Sequence, residues 1–468
     1  MAVNILSLFS IARTGLATNQ RALGVTSHNI SNVNTPGYTR QSAILSEMTP
    51  LNSLEDAVGS GVQVELIRRS VDNLLEGRLN LSHSTLGRLD TYAKGLSRLE
   101  GVFGDAQDRG IGVALREFFD AAQDVATNPN DTTARTVLIS KGSALAGLFN
   151  QAHSDLTNQR LGIDRQVQQS ISEANNLIVK IADLNSKISG LEGTGEQEAN
   201  DLRDERQRAL NDLSKLVDVA YFEDASGVVN VYTGKGLALV AGTVSKQLVG
   251  VANGGNNGLL DVRYDPRDGT APFAINSVLT QGKLKGLLDL RDTQISGVLS
   301  SLNTLAGAVV SQVNSVHAAG YGLDQVTGRN FFSVTAGSEA QTIATVISNP
   351  QHVAASSTLD GVPGNNQSAL ALVALQSAAV AGLGTVTMGD YYTRFAASVG
   401  ETSRAAQVDF HSQEVIHEQL DQQRGQVSGV SLDEEMTDLI KFQRAYEASA
   451  RLITVTDELL QTLLQLGR

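Results

Sequence analysis

Residues 28–41 read HNISNVNTPGYTRQ, a stretch in which a helical pattern ends in three closely spaced asparagines and a sharp turn. The TPGY segment at 35–38 predicts a type II turn, because proline fixes φ at the second position and glycine tolerates a positive φ at the third. Asn29, Asn32 and Asn34 can each donate and accept hydrogen bonds without titrating. A simple helix end would explain one of these amides, whereas three indicate a helix end whose carbonyl groups are bonded among packed neighbours.

The helix before this turn and the helix at the far end of the chain carry similar apolar repeats. Apolar residues recur every seven positions in both segments, at Phe9, Leu16, Leu23 and Ile30 and at Leu432, Leu439, Tyr446, Ile453 and Leu460. Such a repeat places the apolar residues of each helix along one face. At ~1.5 Å per residue the N-terminal helix is about 40 Å long and the C-terminal helix about 50 Å. Two long helices with one apolar seam each predict that the chain ends pair as a coiled coil.

Polar residues interrupt both seams, namely Asn19 and Thr26 in the first and Gln443 and Asp457 in the second. A two-helix coil with polar residues at inward positions is less stable but more specific in its pairing. Ordering each residue costs ~1–2 kcal/mol of backbone entropy, which the few large side chains of a lone helix pair barely offset. We therefore expect the terminal helices to be frayed in the isolated chain and to become ordered on assembly.

The interior is mainly helical, with one region of different character. Heptads over 156–191 and 295–316, and shorter helical patterns such as 132–150, predict an elongated helical bundle. Residues 217–251 are β-branched and aromatic between turn signals, which predicts antiparallel hairpins. Residues 321–360 are again rich in glycine and β-branched residues and are expected to rejoin this β region.

The predicted fold class is mainly α with a β insertion. It comprises terminal helices paired as a coiled coil, an elongated α-helical bundle and a small antiparallel β outer domain. The corresponding segments are 1–44 with 429–468 for the coiled coil, 45–216, 281–320 and 361–428 for the bundle, and 217–280 with 321–360 for the β domain.

Acidic residues cluster at the predicted starts of two helices. The clusters around Asp204 and Glu435 are typical of helix N-termini, where carboxylates complement the helix dipole. Ser431, followed three residues later by Glu434, predicts a capping box at the start of the C-terminal helix.

The composition argues against several functional classes. The 468 residues carry a net charge of −13 with no run of Lys and Arg, so a nucleic-acid partner is not expected. Cysteine is absent, and no motif predicts a catalytic residue, a metal site or a cofactor. The N-terminus lacks the features of a signal peptide and no apolar run is long enough to span a bilayer, so no membrane partner is expected.

Both ends of the chain resemble flagellar axial proteins of the rod, hook and hook–filament junction. SIARTGLATNQRALGVTSHNISNVNTPGYTRQ (10–41) is similar to their N-terminal signature, and SGVSLDEEMTDLIKFQRAYEASARLITVTDELLQTLL (428–464) to their C-terminal signature. Phe442-Gln443 and the SLDEE segment resemble junction proteins more than hook protein. GLLDLRD (286–292) and VNSVHAAGYGLDQVTGRNFF (313–332) also resemble segments of junction proteins.

The resemblance implies a structural protein without an active site that joins hook to filament. It implies self-association in a ring layer of the axial tube, contacts with the hook protein and a second junction protein, and a dedicated export chaperone. It also implies export without a cleaved signal peptide, through the flagellar type III apparatus, to the extracellular flagellum. The nine seam residues would form the assembly interface, and the signature turn would comprise Asn29, Asn32, Asn34, Pro36, Gly37 and Tyr38.

Three alternatives stay open from the sequence. The chain could be another axial protein of the hook type, or a secreted adhesin-like protein whose β domain binds a host molecule. The third alternative is a hydrolase whose carboxylates, Asp224, Asp261 and Asp268, lie in the β region.

Overall fold

The computed structural model describes residues 5–48, 59–103, 110–193, 198–224 and 226–466. Its helices are α1 (Ile5–Ser31), α2 (Asn73–Glu100), α3 (Ile111–Thr127), α4 (Thr132–Glu192), α5 (Asn200–Leu216), α6 (Gly282–Leu288), α7 (Ile295–Ala319), α8 (Glu339–Thr342), α9 (Gln367–Ala374), α10 (Met388–Ser428) and α11 (Leu432–Leu466). Its strands are β1 (Gln41–Glu47), β2 (Val62–Arg69), β3 (Val219–Glu223), β4 (Val229–Thr233), β5 (Ala238–Ala241), β6 (Val244–Ser245), β7 (Gln247–Ala252), β8 (Leu260–Asp265), β9 (Phe273–Ala274), β10 (Phe332–Ser333) and β11 (Ala344–Thr345). In these ranges no helix combines the length and the apolar character needed to cross a lipid bilayer.

The part of the described chain from α2 to α10 is here called the body. Helix α4 is its central element and runs without a break for 61 residues, a length of about 90 Å. The sequence patterns suggest two helices here, over 132–150 and from Leu156 onward. The structure joins them because Phe149, Ala152 and Leu156 form an uninterrupted buried stripe. The polar residues between them face outward, so nothing ends the helix.

The other helices of the body pack around α4 in one continuous apolar core. Phe118 of α3 meets Phe331 edge to face, with ring centroids 5.5 Å apart. Most residues of the predicted seams over 156–191 and 295–316 line this core, Leu184 and Ile188 are buried outside it, and Leu191 is 60% exposed. A strict seven-residue repeat drifts by ~20° per heptad on a straight helix, so the last seam position of α4 has rotated out of the core.

Leu184 and Leu191 lie on the same predicted seam in different surroundings, which allows a matched test of burial. Leu184 is 2% exposed, so we expect Leu184→Ala to lower the free energy of unfolding by about 2–5 kcal/mol. Leu191→Ala, at the exposed position, should change it by less than about 0.5 kcal/mol. Denaturant titration of both variants measures the difference. Equal losses would contradict the burial of Leu184.

Residues 219–274 form two small antiparallel sheets, as the sequence predicts. The strand orders are β3-β4-β5-β6 and β7-β8-β9. Two asparagines of α4 attach these sheets to the helix. Asn185 Nδ2 donates to the Val229 and Gly242 carbonyls at 2.7 Å each, and Asn175 Nδ2 donates to the Leu248 carbonyl at 2.8 Å. The β region is therefore fixed along one side of α4.

The segment 321–360 differs from the expectation that it rejoins the β region. Its short strands β10 and β11 pair with each other, and β11 packs against α4. The reason is apolar anchoring, because Phe331 and Phe332 are fully buried against Phe118 among the body helices.

Residues 45–47 and 62–69, grouped with the bundle from the sequence, belong instead to a pair of β-strands here called the hairpin. Strand β1 pairs antiparallel with β2, from Gln41 opposite Arg69 to Glu47 opposite Val62. The hairpin packs on α1, where the Thr18 hydroxyl donates to the Val62 carbonyl at 2.9 Å. Polar and apolar residues alternate through most of β2, a period that suits a strand with one covered face. The domain limits themselves remain a prediction.

The terminal helices α1 and α11 pair antiparallel, with Gly15 beside Ser449 and Asn29 beside Glu435. Among the described side chains of α1, the buried ones are small or polar: Ala12, Gly15, Thr18, Ala22, Thr26 and Asn29. The large seam residues lie at the margin of this contact: Leu16, Leu23 and Ile30 are half-buried, and Phe9 and Leu432 are exposed. Small residues allow the two backbones to approach closely, and this approach moves the predicted seam to the edge.

Candidate functional site

The signature turn lies where the α1–α11 pair meets the body; residues 28–41 together with the start of α11 are here named the joint. Gly37 has φ +74°, and the Tyr38 N–H donates to the carbonyl three residues earlier at 3.2 Å. This is the geometry expected of a type II turn. Pro36 is exposed, but its carbonyl accepts from Arg208 Nη1 of α5 at 3.1 Å. The turn therefore contacts the body directly.

Asn29 is the centre of the joint and is 1% exposed. Its Nδ2 donates to the Gln41 carbonyl at 2.8 Å and to Glu435 Oε2 at 3.0 Å. Its Oδ1 accepts from the Tyr38 hydroxyl at 2.7 Å and from the Gln41 N–H at 3.0 Å. Both donors and both acceptor positions of the amide are used. One side chain thus connects α1, the start of β1 and α11.

The other two asparagines of the signature turn have different surroundings. Asn32 Nδ2 donates to the His28 carbonyl at 3.0 Å, one of the carbonyls at the end of α1. Its Oδ1 accepts from the Thr35 hydroxyl at 3.0 Å. Asn34 is exposed in the turn. Asn32 therefore bonds a carbonyl of the helix end as expected, whereas Asn29 bonds Gln41, Tyr38 and Glu435 instead, and Asn34 is exposed.

Tyr38 supplies a hydroxyl that stays protonated inside the joint. Burial, and then the nearby carboxylates of Asp201, Asp204 and Glu435, raise the pKa of Tyr38 well above its ordinary value. The phenol therefore remains a hydrogen-bond donor to Asn29 throughout the physiological pH range.

Arg40 binds the first turn of α11. Its Nε donates to Glu435 Oε1 at 2.7 Å and its Nη1 to Glu434 Oε2 at 2.5 Å. The Glu435 side chain is 2% exposed, and a buried carboxylate requires such partners. The capping box predicted between Ser431 and Glu434 is replaced by this arrangement, because the guanidinium offers the Glu434 carboxylate a stronger, charge-assisted bond.

The backbone of Arg40 connects two further elements to the joint. Its N–H donates to the carbonyl of Ser428, the last residue of α10, at 2.9 Å. Its carbonyl accepts from the N–H of Ser70, just after β2, at 2.8 Å. The hairpin and the short connection between α10 and α11 are therefore held on the same residue.

Asp204 of α5 is the anchor of the joint on the body. Its carboxylate accepts from the Thr39 N–H at 2.9 Å and from Arg69 Nη1 at 2.7 Å. The sequence assigns Asp204 and Glu435 to helix dipoles, whereas the structure shows them bonded to residues far away in the chain. A single sequence contains no signal for such pairings, so the roles of Asp204, Glu435, Arg40 and Arg69 could not be predicted.

The α1–α11 pair, here called the coil, leaves six apolar residues between 45% and 53% exposed among the described side chains of α11. Three of them, Leu432, Met436 and Ile440, lie near the joint, and three, Leu452, Val455 and Leu459, lie toward the far end. At ~100° per residue the two groups fall on opposite flanks of the face that meets α1. These six residues are named the coil flanks. The predicted interface residues Leu439, Tyr446, Ile453 and Leu460 are half-buried between them.

The carboxylates of the β region are occupied locally. Asp224 and Asp268 each accept a backbone N–H bond from the residue two positions later. Asp261 accepts from two asparagine side chains. Across the described ranges no group of three or more His, Cys, Asp or Glu is placed to hold a metal ion.

Comparison with protein families matches most of the chain. The model described as "Flagellar hook-associated protein FlgK helical domain" matches residues 96–332, which cover much of the body. The models described as "Flagella basal body rod protein" and "Flagellar basal body rod FlgEFG protein C-terminal" match residues 9–39 and 422–466. The last two matches include α1, α11 and most of the joint.

Flagellar hook-associated protein 1 of Bacillus subtilis (strain 168) is 31% identical to this chain over 496 residues, covering 97% of this chain and 96% of the relative. The protein of the same name from Salmonella typhimurium is 26% identical over 553 residues, covering 98% of this chain and 100% of the relative. The flagellar hook junction protein FlgK from Burkholderia pseudomallei shares the fold, with a TM-score of 0.68 at 17% identity over 75% of this chain and 100% of that chain. The chain therefore belongs to the flagellar hook-associated protein 1 family.

Proposed function

We propose that this structural flagellar protein joins hook to filament and enters the axial tube through α1 and α11. The observation that supports the proposal is the pair of coil flanks, which expose apolar residues on two sides of an otherwise regular helix pair. Neighbouring subunits in a tube would cover both flanks, and apolar burial stabilises by ~25 cal/mol per Å². The proposed partners are copies of this chain, the hook protein, a second junction protein and an export chaperone.

Assembly would also supply the stability that the coil lacks alone. The α1 side of the contact consists of small or polar residues such as Ala12, Gly15 and Thr26, which bury little apolar area. Ordering the backbone costs ~1–2 kcal/mol per residue. The joint anchors only one end of the pair. We infer that the coil far from the joint frays in the isolated chain and orders in the tube, and that the unfolded segment suits passage through a type III export channel.

The flanks can be tested in cells with the double variant Leu452→Ser and Leu459→Ser. Both side chains are about half exposed, at 49% and 45%, so the monomer should fold normally. We expect hooks without filaments when this variant replaces the native protein, scored by electron microscopy and swimming. A matched control is Leu161→Ser with Val179→Ser, exposed apolar positions on α4, which should leave filaments intact. Normal filaments on the flank variant would overturn the proposed entry through α11.

Hydrogen exchange on the purified monomer tests the coupling of order to assembly. Amides in residues 5–20 and 445–466 should exchange rapidly, while amides of α4 should be protected by the core. Strong protection across the far half of the coil would show a preformed helix pair. In that case assembly would use the flanks without ordering the helices.

A further inference from the structure

Helix α2 presents an exposed stripe that no neighbour in the body covers completely. Leu74 is 76% exposed and Leu81 is 63% exposed, seven residues apart on one face. Arg78 lies between them and is also exposed. These three residues are named the α2 stripe. Its composition is two leucines around one positive charge.

A groove of about 690 Å³ runs beside the α2 stripe, between α2 and the strand β3. Leu81 and the half-exposed Phe222 line its rim, and Asn80 and Asp218 line its floor. Asn80 is 2% exposed and Asp218 is 5% exposed, yet Asn80 Oδ1 and Asp218 Oδ1 have no hydrogen-bond partner in the described structure. Buried acceptors without donors are costly. The groove therefore suits an occupant that brings apolar side chains and hydrogen-bond donors.

Helix α10 presents a second exposed stripe of complementary chemistry. Val408, His411, Val415, Glu418 and Gln422 are all exposed and follow the three- and four-residue spacing of one helix face. They are named the α10 stripe. It combines two valines with a negative charge and an amide donor, which match the leucines, the Arg78 charge and the unpartnered acceptors of the groove.

The two stripes lie on opposite sides of the same helix pair. Leu75 and Leu79 of α2 pack against Leu420 of α10, and Arg424 Nε donates to Glu76 Oε1 at 2.7 Å. At ~100° per residue the α2 stripe is turned roughly 130° from this contact, and the α10 stripe roughly 170°. The antiparallel pairing sets Glu76 beside Arg424 and Ser82 beside Gln413, so Arg78 and Leu81 lie at the height of Val415 and Glu418. Within one chain they point away from each other and cannot meet.

We propose that the α2 stripe and its groove in one copy receive the α10 stripe of a second copy. The contact is heterologous, so each copy uses a different surface toward each of its two neighbours. Repetition of such a contact closes a ring or continues a helical layer, and does not stop at a dimer. The inference rests on the proposed self-association in the axial tube, and it assigns the lateral contact of the body, which the coil flanks do not provide.

Disulfide cross-linking tests the contact in assembled flagella, because the chain has no cysteine. A strain carrying Leu81→Cys with Val415→Cys should yield, after oxidation and denaturation, a ladder of covalent oligomers larger than dimers. Each single cysteine variant should remain monomeric. If the double variant stays monomeric in a strain with normal filaments, the inference is wrong while the proposed function stands. Dimers from either single variant would show a symmetric contact and would also overturn it.

Charge exchange provides a second test that needs no cross-link. Arg78→Glu and Glu418→Arg should each make filaments detach more readily under shear, and the double exchange should restore attachment. Lys94→Glu is the matched control, since Lys94 is an exposed cation of the same helix that pairs with Asp90; it should have no effect. Failure of the double exchange to restore attachment would contradict the proposed pairing of Arg78 with Glu418.

Discussion

Replacing Asn29 with leucine should uncouple the terminal coil from the body. The leucine fills the space but leaves the Gln41 N–H and carbonyl, the Tyr38 hydroxyl and Glu435 Oε2 without the bonds they make to Asn29. Each buried polar group left unpartnered costs about 1–3 kcal/mol, so the joint should lose about 3 kcal/mol or more. We expect rapid hydrogen exchange across 28–48 and 428–440, a nearly unchanged melting temperature of the body, and hooks without filaments.

Two further variants separate hydrogen bonding from shape. Asn29→Asp keeps the shape but removes the donor and places a second carboxylate beside Glu435, so it should resemble Asn29→Leu. Asn34→Leu changes an exposed asparagine of the same signature and should behave like the native protein. Unchanged exchange in Asn29→Leu would show that the joint is held by its other contacts, mainly those of Arg40 and Asp204.

Replacing Arg291 with methionine should destabilise the body strongly. Arg291 is fully buried, with Nη1 2.5 Å from Asp164 Oδ1 of α4 and Nη2 2.7 Å from Asp292 Oδ2. Its removal leaves Asp164 without this cation and leaves Asp292 with only Arg160, whose Nη2 is 3.9 Å from Asp292 Oδ1. Breaking a buried ion pair on one side costs about 3–5 kcal/mol, and the partial exposure of both carboxylates reduces the expected loss to about 2–4 kcal/mol. Denaturant titration at pH 7 measures it.

The pH dependence of the stability lost in Arg291→Met tests whether the loss is electrostatic in origin. Burial alone would raise the pKa of Asp292, but hydrogen bonds from Arg291 and Asn256, together with the charges of Arg291 and Arg160, hold this pKa below its usual range. Its stabilising contribution is therefore present at neutral pH and is lost as pH falls through the folded-state pKa. Without Arg291 the pKa of Asp292 should rise. The difference in free energy of unfolding between the variant and the native protein should therefore become smaller as pH falls from 7 toward about 4.

A surface ion pair on α4, the helix that carries Asp164, serves as the control. Lys187 Nζ and Asp183 Oδ2 of α4 are 2.7 Å apart and both side chains are more than half exposed, so Lys187→Met should leave the free energy of unfolding nearly unchanged. A loss in Arg291→Met that stays constant with pH would point to altered packing rather than to unpaired charge. In that case the resemblance of the GLLDLRD segment (286–292) to junction proteins would reflect side-chain packing, and not this ion-pair network.

The local features of the chain can be predicted from its amino-acid sequence. The apolar repeats predicted the long helices, and the β-branched segment between turns predicted the sheets over 219–274. The type II turn at 35–38 followed from proline and glycine, whose backbone preferences are properties of single residues. The resemblance of both ends to axial proteins predicted the family. These features can be predicted because each depends on residues within a few helical turns of one another.

The tertiary arrangement of the chain, in contrast, sets which surfaces meet. It placed small residues such as Gly15, rather than the large seam residues, between α1 and α11, and it carried 41–48 and 62–69 onto α1 as a hairpin. It also places Asn29 within hydrogen-bond distance of Glu435, 406 residues later in the chain. In the same way, Asp204 accepts hydrogen bonds from Thr39 and Arg69. Such pairings depend on how closely two packed helices approach each other and on which polar or oppositely charged groups lie beside each buried charge. Both are set by the three-dimensional arrangement of the whole chain, so no local pattern of residues encodes them.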